Sequence, residues 1–411
     1  MPAPELDLAY ARSQFPGLAD GWAFFDNAGG TQILSGVVER MNDFLFHRNV
    51  QTGGSYEVSQ KAAASLQAGR EAMQTFVNAR RPEEIVFAPS TTVAMQNLVR
   101  SMASQFEPGD EVIVTVFDHE SNIGPWTHLE ARGVTLRVWN LDRDTLEPRL
   151  EDLAALMNER TKLVAVTWVS NILGAINPIA EIARFVHDRG ARICVDAVAY
   201  APHRAIDVQA LDVDYLAFSL YKVFGPHYAM MYGRYERLEE LDGLYHYFYG
   251  KDQVPKKLEP GNASYELAYS ATGIVDYLAE LGRRSGANGS LREQLEAAFE
   301  AITRHECLLG ERLLRYLRSR PDCRVIGRTD GTDVMRAPTI SFRIEGMNAG
   351  AVARAMDAHR IAIRFGDFHA RRLIEYLDVA DHEGVVRVSM THYNSLDEVD
   401  ALVTAFEQIL P

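Results

Sequence analysis

Cysteine is scarce: Cys194, Cys307 and Cys323 are the only three in 411 residues. An odd number without C-x-x-C spacing argues against a disulfide framework and gives no structural zinc signature. No metal is therefore expected, and the reducing cytoplasm is the expected compartment. Long apolar runs are missing as well. Nowhere do about eighteen apolar residues follow one another, which argues against a membrane-spanning helix. The opening MPAPELDLAYARSQFPGL lacks the basic leader and apolar centre of an export signal. Positive charge is in deficit too, with 42 basic side chains against 56 acidic ones and a formal charge of −14. Such a field repels polyanions, so neither nucleic acid nor an acidic membrane is expected as a partner.

What is present is ordinary globular material, 47% hydrophobic and 24% charged, enough for large cores. At roughly 150 residues per unit, the length suggests two or three structural units, and two are expected because α/β enzymes often fuse two of these into one body. From about residue 80 to 235, short β-rich runs alternate with helix-period stretches: EEIVFA, EVIVTV, TLRVWN, KLVAVTWV, RICVDA, YLAFSL and MMYGRY. KLVAVTWV and ARICVDA are nearly continuous Val/Ile/Leu runs, as strands are when helices cover both faces of a parallel sheet. The expected fold class is α/β, with a mostly parallel central sheet and active groups at its strand ends. Residues 250–270, GKDQVPKKLEPGNASYELAYS, are polar and contain Pro and Gly, which predicts a long functional loop with a helical region after it. From about residue 290, SLREQLEAAFEAITRHECLLGERLLRYLRSR has helical spacing, and APTISFRI, AIRF and VVRVSM then alternate like a small half-exposed sheet. The expected division is 1–22 as an N-terminal segment packing with the small domain, 23–285 as the large domain and 286–411 as the small C-terminal domain.

Lys222 follows the hydrophobic run YLAFSL and precedes Gly225 and Pro226. An amine on a tight turn at a sheet edge is desolvated and can supply the neutral nucleophile a Schiff base needs; a surface lysine closing a strand is the alternative. Asp196 ends the apolar run RICVDA, where a carboxylate has few local reasons to stand. One reason is a pyridinium ring, since pyridoxal phosphate is an electron sink only while its ring nitrogen stays protonated; a turn or cap residue is the other. Ser90, Thr91 and Thr92 open a helix-period run after EEIVFA, as an anion cradle or as an ordinary N-cap. Ser219 could reach the same phosphate. His119 follows EVIVTVF, where an imidazole could lie over a planar cofactor or be structural, and Asn171 in WVSNILG could bond a ring substituent or make a turn. Arg364 in IAIRFG and Arg387 in VVRVSM both lie in apolar runs and need an anion. A substrate carboxylate and a structural acidic partner are both open.

These segments resemble the class V aminotransferase superfamily of fold-type I pyridoxal-phosphate enzymes, in particular its cysteine-desulfurase-like branch. The resemblance rests on FFDNAGGTQ, PSTTVAMQN, FDHESNIGPW, WVSNILGAINP, VDAVAYAPHRAIDVQALDVDYLAFSLYKVFGPH, LEPGN, IAIRFGD and VRVSMTHYN in that order. It implies a large cofactor-binding domain, pyridoxal 5'-phosphate as cofactor and a homodimer in which the loop around Asn262 contributes to a neighbour's site. Lys222 would be the Schiff-base lysine and then the base at Cα, Asp196 the partner of the pyridine nitrogen, His119 the residue stacked on the ring, and Thr91 with Thr92 the phosphate ligands. Asn171, Ser219, Tyr221 and Asn262 complete the implied cofactor contacts, and Arg387, Arg364, Asn27 and His369 the implied substrate contacts.

The departures bear on the reaction. Alignment of IAIRFGDFHA on the desulfurase loop puts His369 where those enzymes carry the cysteine that accepts sulfur, and none of the three cysteines is near it in sequence. Ala199 stands where many relatives have Gln or His, Tyr221 where many have His, and Asn262 where many have Thr. The resulting expectation is a pyridoxal-phosphate enzyme acting on an amino acid or amino-acid conjugate, foremost a carbon-sulfur lyase or related β-elimination enzyme. Aminotransfer and epimerisation are the alternatives, and a non-catalytic cofactor-binding regulatory protein the remote one.

Overall fold

A computed structural model describes residues 5–332 and 334–410. Residues 1–4 of the expected N-terminal segment, and 333 and 411 of the expected C-terminal unit, lie outside the described residues. The strands in chain order are β1 (Ala23–Phe24), β2 (Ile85–Ala88), β3 (Glu111–Thr115), β4 (Thr135–Trp139), β5 (Thr161–Thr167), β6 (Arg192–Asp196), β7 (Tyr215–Ser219) and β8 (Ala229–Gly233). They are followed by β9 (Cys323–Ile326), β10 (Thr339–Ile344), β11 (Ile361–Ala362), β12 (Arg364–Gly366) and β13 (Val385–Ser389).

Each apolar run expected between 80 and 235 is a strand of one seven-stranded sheet, ordered β2-β8-β7-β6-β5-β3-β4. Strands β7, β6, β5, β3 and β4 are parallel, and β8 runs antiparallel to both β7 and β2. Apart from Lys162 near the start of β5 and Arg192 at the start of β6, the interior strands are buried because helices cover both faces. At the edge, β4 turns Arg137 and Val138 to solvent, a charge there discouraging further strand addition. The carboxyl ends of β3, β5, β6 and β7 share one side of the sheet, which is where an open α/β sheet places its ligand.

The stretch expected as a loop to residue 270 ends earlier, because the helix Tyr265–Arg284 already includes YELAYS. Its small residues face the helix Glu57–Val77, and a Cβ on Gly69 would stand 2.1 Å from the Ala268 carbonyl oxygen. That close approach needs glycine, and the small-residue face gave little hydrophobic signal. The preceding loop is anchored by Glu259, which accepts from the Phe87 N–H at 2.7 Å and pairs with buried Arg70 at 2.5 Å.

The helix Leu291–Ser319 begins in a Ser290/Glu293 capping box and leads to an antiparallel sheet ordered β12-β13-β10-β9. Strand β1 pairs in parallel with β11, and Asp26 bridges to Ser389. The FFDNAGG segment thereby reaches the C-terminal sheet. Ahead of it, Arg12 donates to the Tyr393 carbonyl at 2.7 Å and pairs with Glu398 at 2.9 Å. Phe15 packs its ring against Phe224, Tyr277 and Tyr393. Among the described residues no helix is long and apolar enough to cross a membrane.

Candidate active site

The helix Thr91–Met102 starts directly after β2, and Ser90 caps it by accepting from the Val93 N–H at 3.2 Å. With Ser90 so used, Thr91 places its hydroxyl 2.6 Å from that of Ser219 at the end of β7. The short turn Leu220–Lys222 follows. His119 comes from the loop after β3, Asn171 from the loop after β5 and Asp196 from the end of β6. All of these, with Thr92, Ala199 and Tyr221, line one cavity of about 510 Å³.

Its electrostatics are unusual. Burial pushes the Lys222 amine down to about 8, with the Arg387 cation adding to this and the Asp196 and Asp26 carboxylates opposing it. Burial pushes the Asp196 carboxyl up to about 6, opposed by the Val198 N–H at 2.8 Å, by Lys222 and by Ser121. His119 is pushed down to about 3 by burial and by the nearby Lys222, His369 and Arg387 charges, so it is neutral at pH 7. Its Nδ1 accepts from the Ser121 N–H at 3.1 Å, which leaves the ring proton on Nε2. Asn171 donates through Nδ2 to the Phe368 carbonyl at 2.9 Å, while its buried Oδ1 has no partner among the described residues.

A second chamber of about 540 Å³ adjoins Lys222 and is lined by Gly29, His119, Arg364, Phe368, His369 and Arg387. Arg387 on β13 is 2% exposed. Its Nη2 lies 3.0 Å from Asp26 Oδ1, its Nη1 donates to the Asn171 carbonyl at 3.2 Å, and its face rests 3.8 Å from the centre of the Phe368 ring. Arg364 is paired with Arg387 in the strand register and contacts the other Asp26 oxygen at 3.4 Å. The expectation that both arginines are enclosed in apolar strands is corrected for Arg364: β12 is the sheet edge, and this side chain is 54% exposed. A Cβ on Gly29 would lie 2.8 Å from Arg364 Nη1 and 2.9 Å from Asp26 Oδ2, so glycine there leaves room for this ion cluster.

A family model for aminotransferase class-V matches residues 23–402. The chain belongs to the class V aminotransferase family. Aminotransferase-like protein FGM3 of Gibberella zeae is 40% identical over 420 residues, 100% of both chains. A cysteine desulfurase of Dickeya dadantii is 32% identical, covering 99% of this chain and 98% of the other. The solved structure of a cysteine desulfurase from Thermococcus onnurineus NA1 superposes with a TM-score of 0.87 at 25% identity, covering 100% of this chain and 99% of that one. The fold is fold-type I, and the chain is a pyridoxal-phosphate enzyme. The site fits that cofactor: a hydroxyl pair beside a helix start, a buried carboxyl at another strand end, a desolvated amine and an orphaned amide oxygen surround one cavity.

Within this class V site, the expected residues Lys222, Asp196, His119, Thr91, Thr92, Asn171, Ser219 and Tyr221 come together in the first cavity. Arg387, Arg364 and His369 meet in the second. Asn27 and Asn262 line neither. Asn27 donates through Nδ2 to the Phe24 and Ser389 carbonyls and to Asn394 Oδ1 at 2.8–3.1 Å and accepts at Oδ1 from the Tyr393 hydroxyl, whereas Asn262 is exposed and accepts from Tyr245 at 3.4 Å. No cysteine lines either cavity, and Cys194 Sγ is buried 3.7 Å from Met95 Sδ. No group of metal-ligating side chains occurs among the described residues.

Asp26, Ser121 and Phe368 were missed. Asp26 stands in the quoted FFDNAGG motif, yet its partners lie 338 and 361 residues away, and nothing local announces them.

Proposed function

We propose that this enzyme removes a group from Cβ of an amino acid or amino-acid conjugate, as a carbon-sulfur lyase or related β-elimination enzyme. The supporting observation is the chamber beside Lys222, which is lined by two arginines and two histidines and by no cysteine. A sulfur group leaving Cβ finds no protein thiol there and departs as free product. Thr91, Thr92 and Ser219 would hold the cofactor's phosphate, with the Tyr221 hydroxyl beside them. Asp196 would hold its ring nitrogen, Asn171 its phenolic oxygen, His119 its ring face and Lys222 its aldehyde carbon. When bound, the cofactor supplies an electron sink for the pair left at Cα.

The remaining work belongs to side chains. Arg387 would anchor the substrate α-carboxylate, its guanidinium plane fixed by Phe368 and its charge already balanced in part by Asp26. Lys222 would take the proton from Cα, since an amine whose pKa is near 8 gives and takes protons close to neutrality. Asp196 would keep the ring nitrogen protonated by opposite charge.

Holoenzyme incubated with cysteine, with S-substituted cysteines and with β-chloroalanine should release equal amounts of 2-oxo acid and ammonia. Alanine with a protein persulfide, 2-oxo acid without ammonia, or deuterium exchange at Cα without net product would overturn elimination in favour of desulfuration, amino transfer or epimerisation respectively. Amino transfer is the alternative favoured by the name of the 40% identical relative. We further propose a cytoplasmic homodimer. Supporting it, the aromatic side chains of Phe46, Tyr247 and Phe248 are exposed, and Asn262 lies outside its own chain's cavities.

A further inference from the structure

β-Elimination needs a second proton transfer besides the one at Cα, because a poor leaving group departs from Cβ only if its developing charge is neutralised. The chamber's ionisable side chains are few: His119, Tyr221, Lys222, Arg364, His369 and Arg387. Most are committed elsewhere. His119 is neutral at pH 7, with Nδ1 held as an acceptor. The Tyr221 hydroxyl is bonded to Ser219 at the far end, and burial raises its pKa. Lys222 serves Cα, and guanidinium groups do not give up their protons. His369 is left.

Its placement is built. Phe368 and His369 both adopt left-handed backbone, with φ of 52° and 58°, a conformation that persists in non-glycine residues only where surroundings impose it. Here the Asn171 amide donates to the Phe368 carbonyl at 2.9 Å, and the Glu120 N–H donates to the His369 carbonyl at 2.8 Å. Arg372 forks onto Glu120 at 3.0 and 3.2 Å. The loop thus holds the imidazole 5.4 Å from the His119 ring, centre to centre, at the exposed mouth of the chamber.

We propose that His369 is the catalytic acid that protonates the leaving group. This rests on the elimination proposed above. As the Cβ–X bond breaks, its electron pair leaves with X while the pair at Cα forms the Cα–Cβ double bond, and the imidazolium proton passes to X. Neutral His369 is recharged from water at the mouth. Histidine suits the task because its ring nitrogens can each give or take a proton.

The test compares wild type with His369→Ala and His369→Gln on a series of S-aryl cysteines whose thiol leaving groups differ in acidity. Wild-type rates should vary little across the series. The variants should lose about 100-fold with the least acidic thiol, within the usual range for a removed general acid, and only a few-fold with the most acidic. The cofactor absorption band should stay unchanged in both. A parallel loss across the series, or no loss, would overturn the role of His369 while leaving elimination intact. Absence of elimination by wild type on every member would overturn both proposals.

Discussion

Covalent capture of pyridoxal phosphate by the apoenzyme measures the surroundings of Lys222 directly, because only the neutral amine attacks the aldehyde. With its pKa near 8 instead of the ordinary 10.5, about one-tenth of the amine is neutral at pH 7 instead of about 0.03%, roughly 300-fold more nucleophile. The sign follows from burial, which disfavours the ammonium form. Capture should therefore quicken about tenfold per pH unit below 8 and level off above it. Arg387→Leu removes a cation that favours the neutral amine, so the bend should move to higher pH. Asp196→Ala removes an anion that favours the ammonium, so it should move lower. Stopped-flow absorbance follows the reaction, and borohydride reduction with peptide mapping identifies the lysine. The cofactor's own ionisations are common to all three proteins, so differences between them belong to the chain. A rate that climbs without bending beyond pH 10, shifts of the opposite sign, or label on a different lysine would refute the reasoning. Lys257 is the internal control: it too is buried, but its amine donates to the Glu239 and Leu241 carbonyls at 2.9 and 2.7 Å.

Arg387→Leu should chiefly raise KM for carboxylate substrates, by an amount worth about 2 to 5 kcal/mol, whereas Asp196→Ala should collapse kcat with substrate saturating; an untouched KM in Arg387→Leu would move the carboxylate site toward Arg364. Arg70→Met leaves the Glu259 carboxylate buried without its cation and should cost about 3 to 5 kcal/mol in denaturant unfolding, with the double change to Arg70→Met and Glu259→Leu costing less; a double loss equal to the sum of the two single losses would show that the pair is not coupled. Sedimentation should find a dimer at assay concentration, and a fully active monomer would rule out sharing of the Asn262 loop between protomers.

The central sheet was legible because buried parallel strands are apolar on both faces, so KLVAVTWV and RICVDA stand out without any partner being known. Strand β9 was not, since CRVI is four residues long with Arg324 exposed in its middle. Arg364 misled for a related reason. Its neighbours Ile361, Ile363 and Phe365 have the alternation of a half-buried strand, and sequence cannot tell a sheet's edge from its interior. The residues that gather in the first cavity follow recognisable strands, so their position at one end of the sheet could be inferred. Those on the far wall, Arg364 on β12, Arg387 on β13 and Phe368 with His369 in the loop after β12, come in with the C-terminal sheet. Ser121 is hidden differently: it looks like any turn residue until its N–H is seen pointing at His119 Nδ1.

Asp26 changes what the two arginines do. Taken from sequence they are two cations that need an anion; in the structure both already touch the same carboxylate, so the cluster carries a net charge of about +1 instead of +2. A single incoming carboxylate therefore completes its neutralisation, and a neutral ligand gains nothing from it. The hydrogen bonds constrain how that happens. Arg387 has Nη1 on the Asn171 carbonyl and Nη2 on Asp26, leaving Nε without a partner among the described residues. A ligand carboxylate that forks across Nη1 and Nη2 would compete with the Asn171 carbonyl and with Asp26, whereas a fork across Nε and Nη2 would compete with Asp26 at most. Displacement of Asp26 is the easier course, because Arg364 already contacts its second oxygen at 3.4 Å from the half-open mouth. The Asn171 carbonyl has no such second donor among the described residues and belongs to a segment whose side-chain amide also holds the Phe368 carbonyl. With the carboxylate on Arg387 as proposed, binding should move Asp26 from the buried arginine toward the exposed one and leave the loop that carries His369 where it stands.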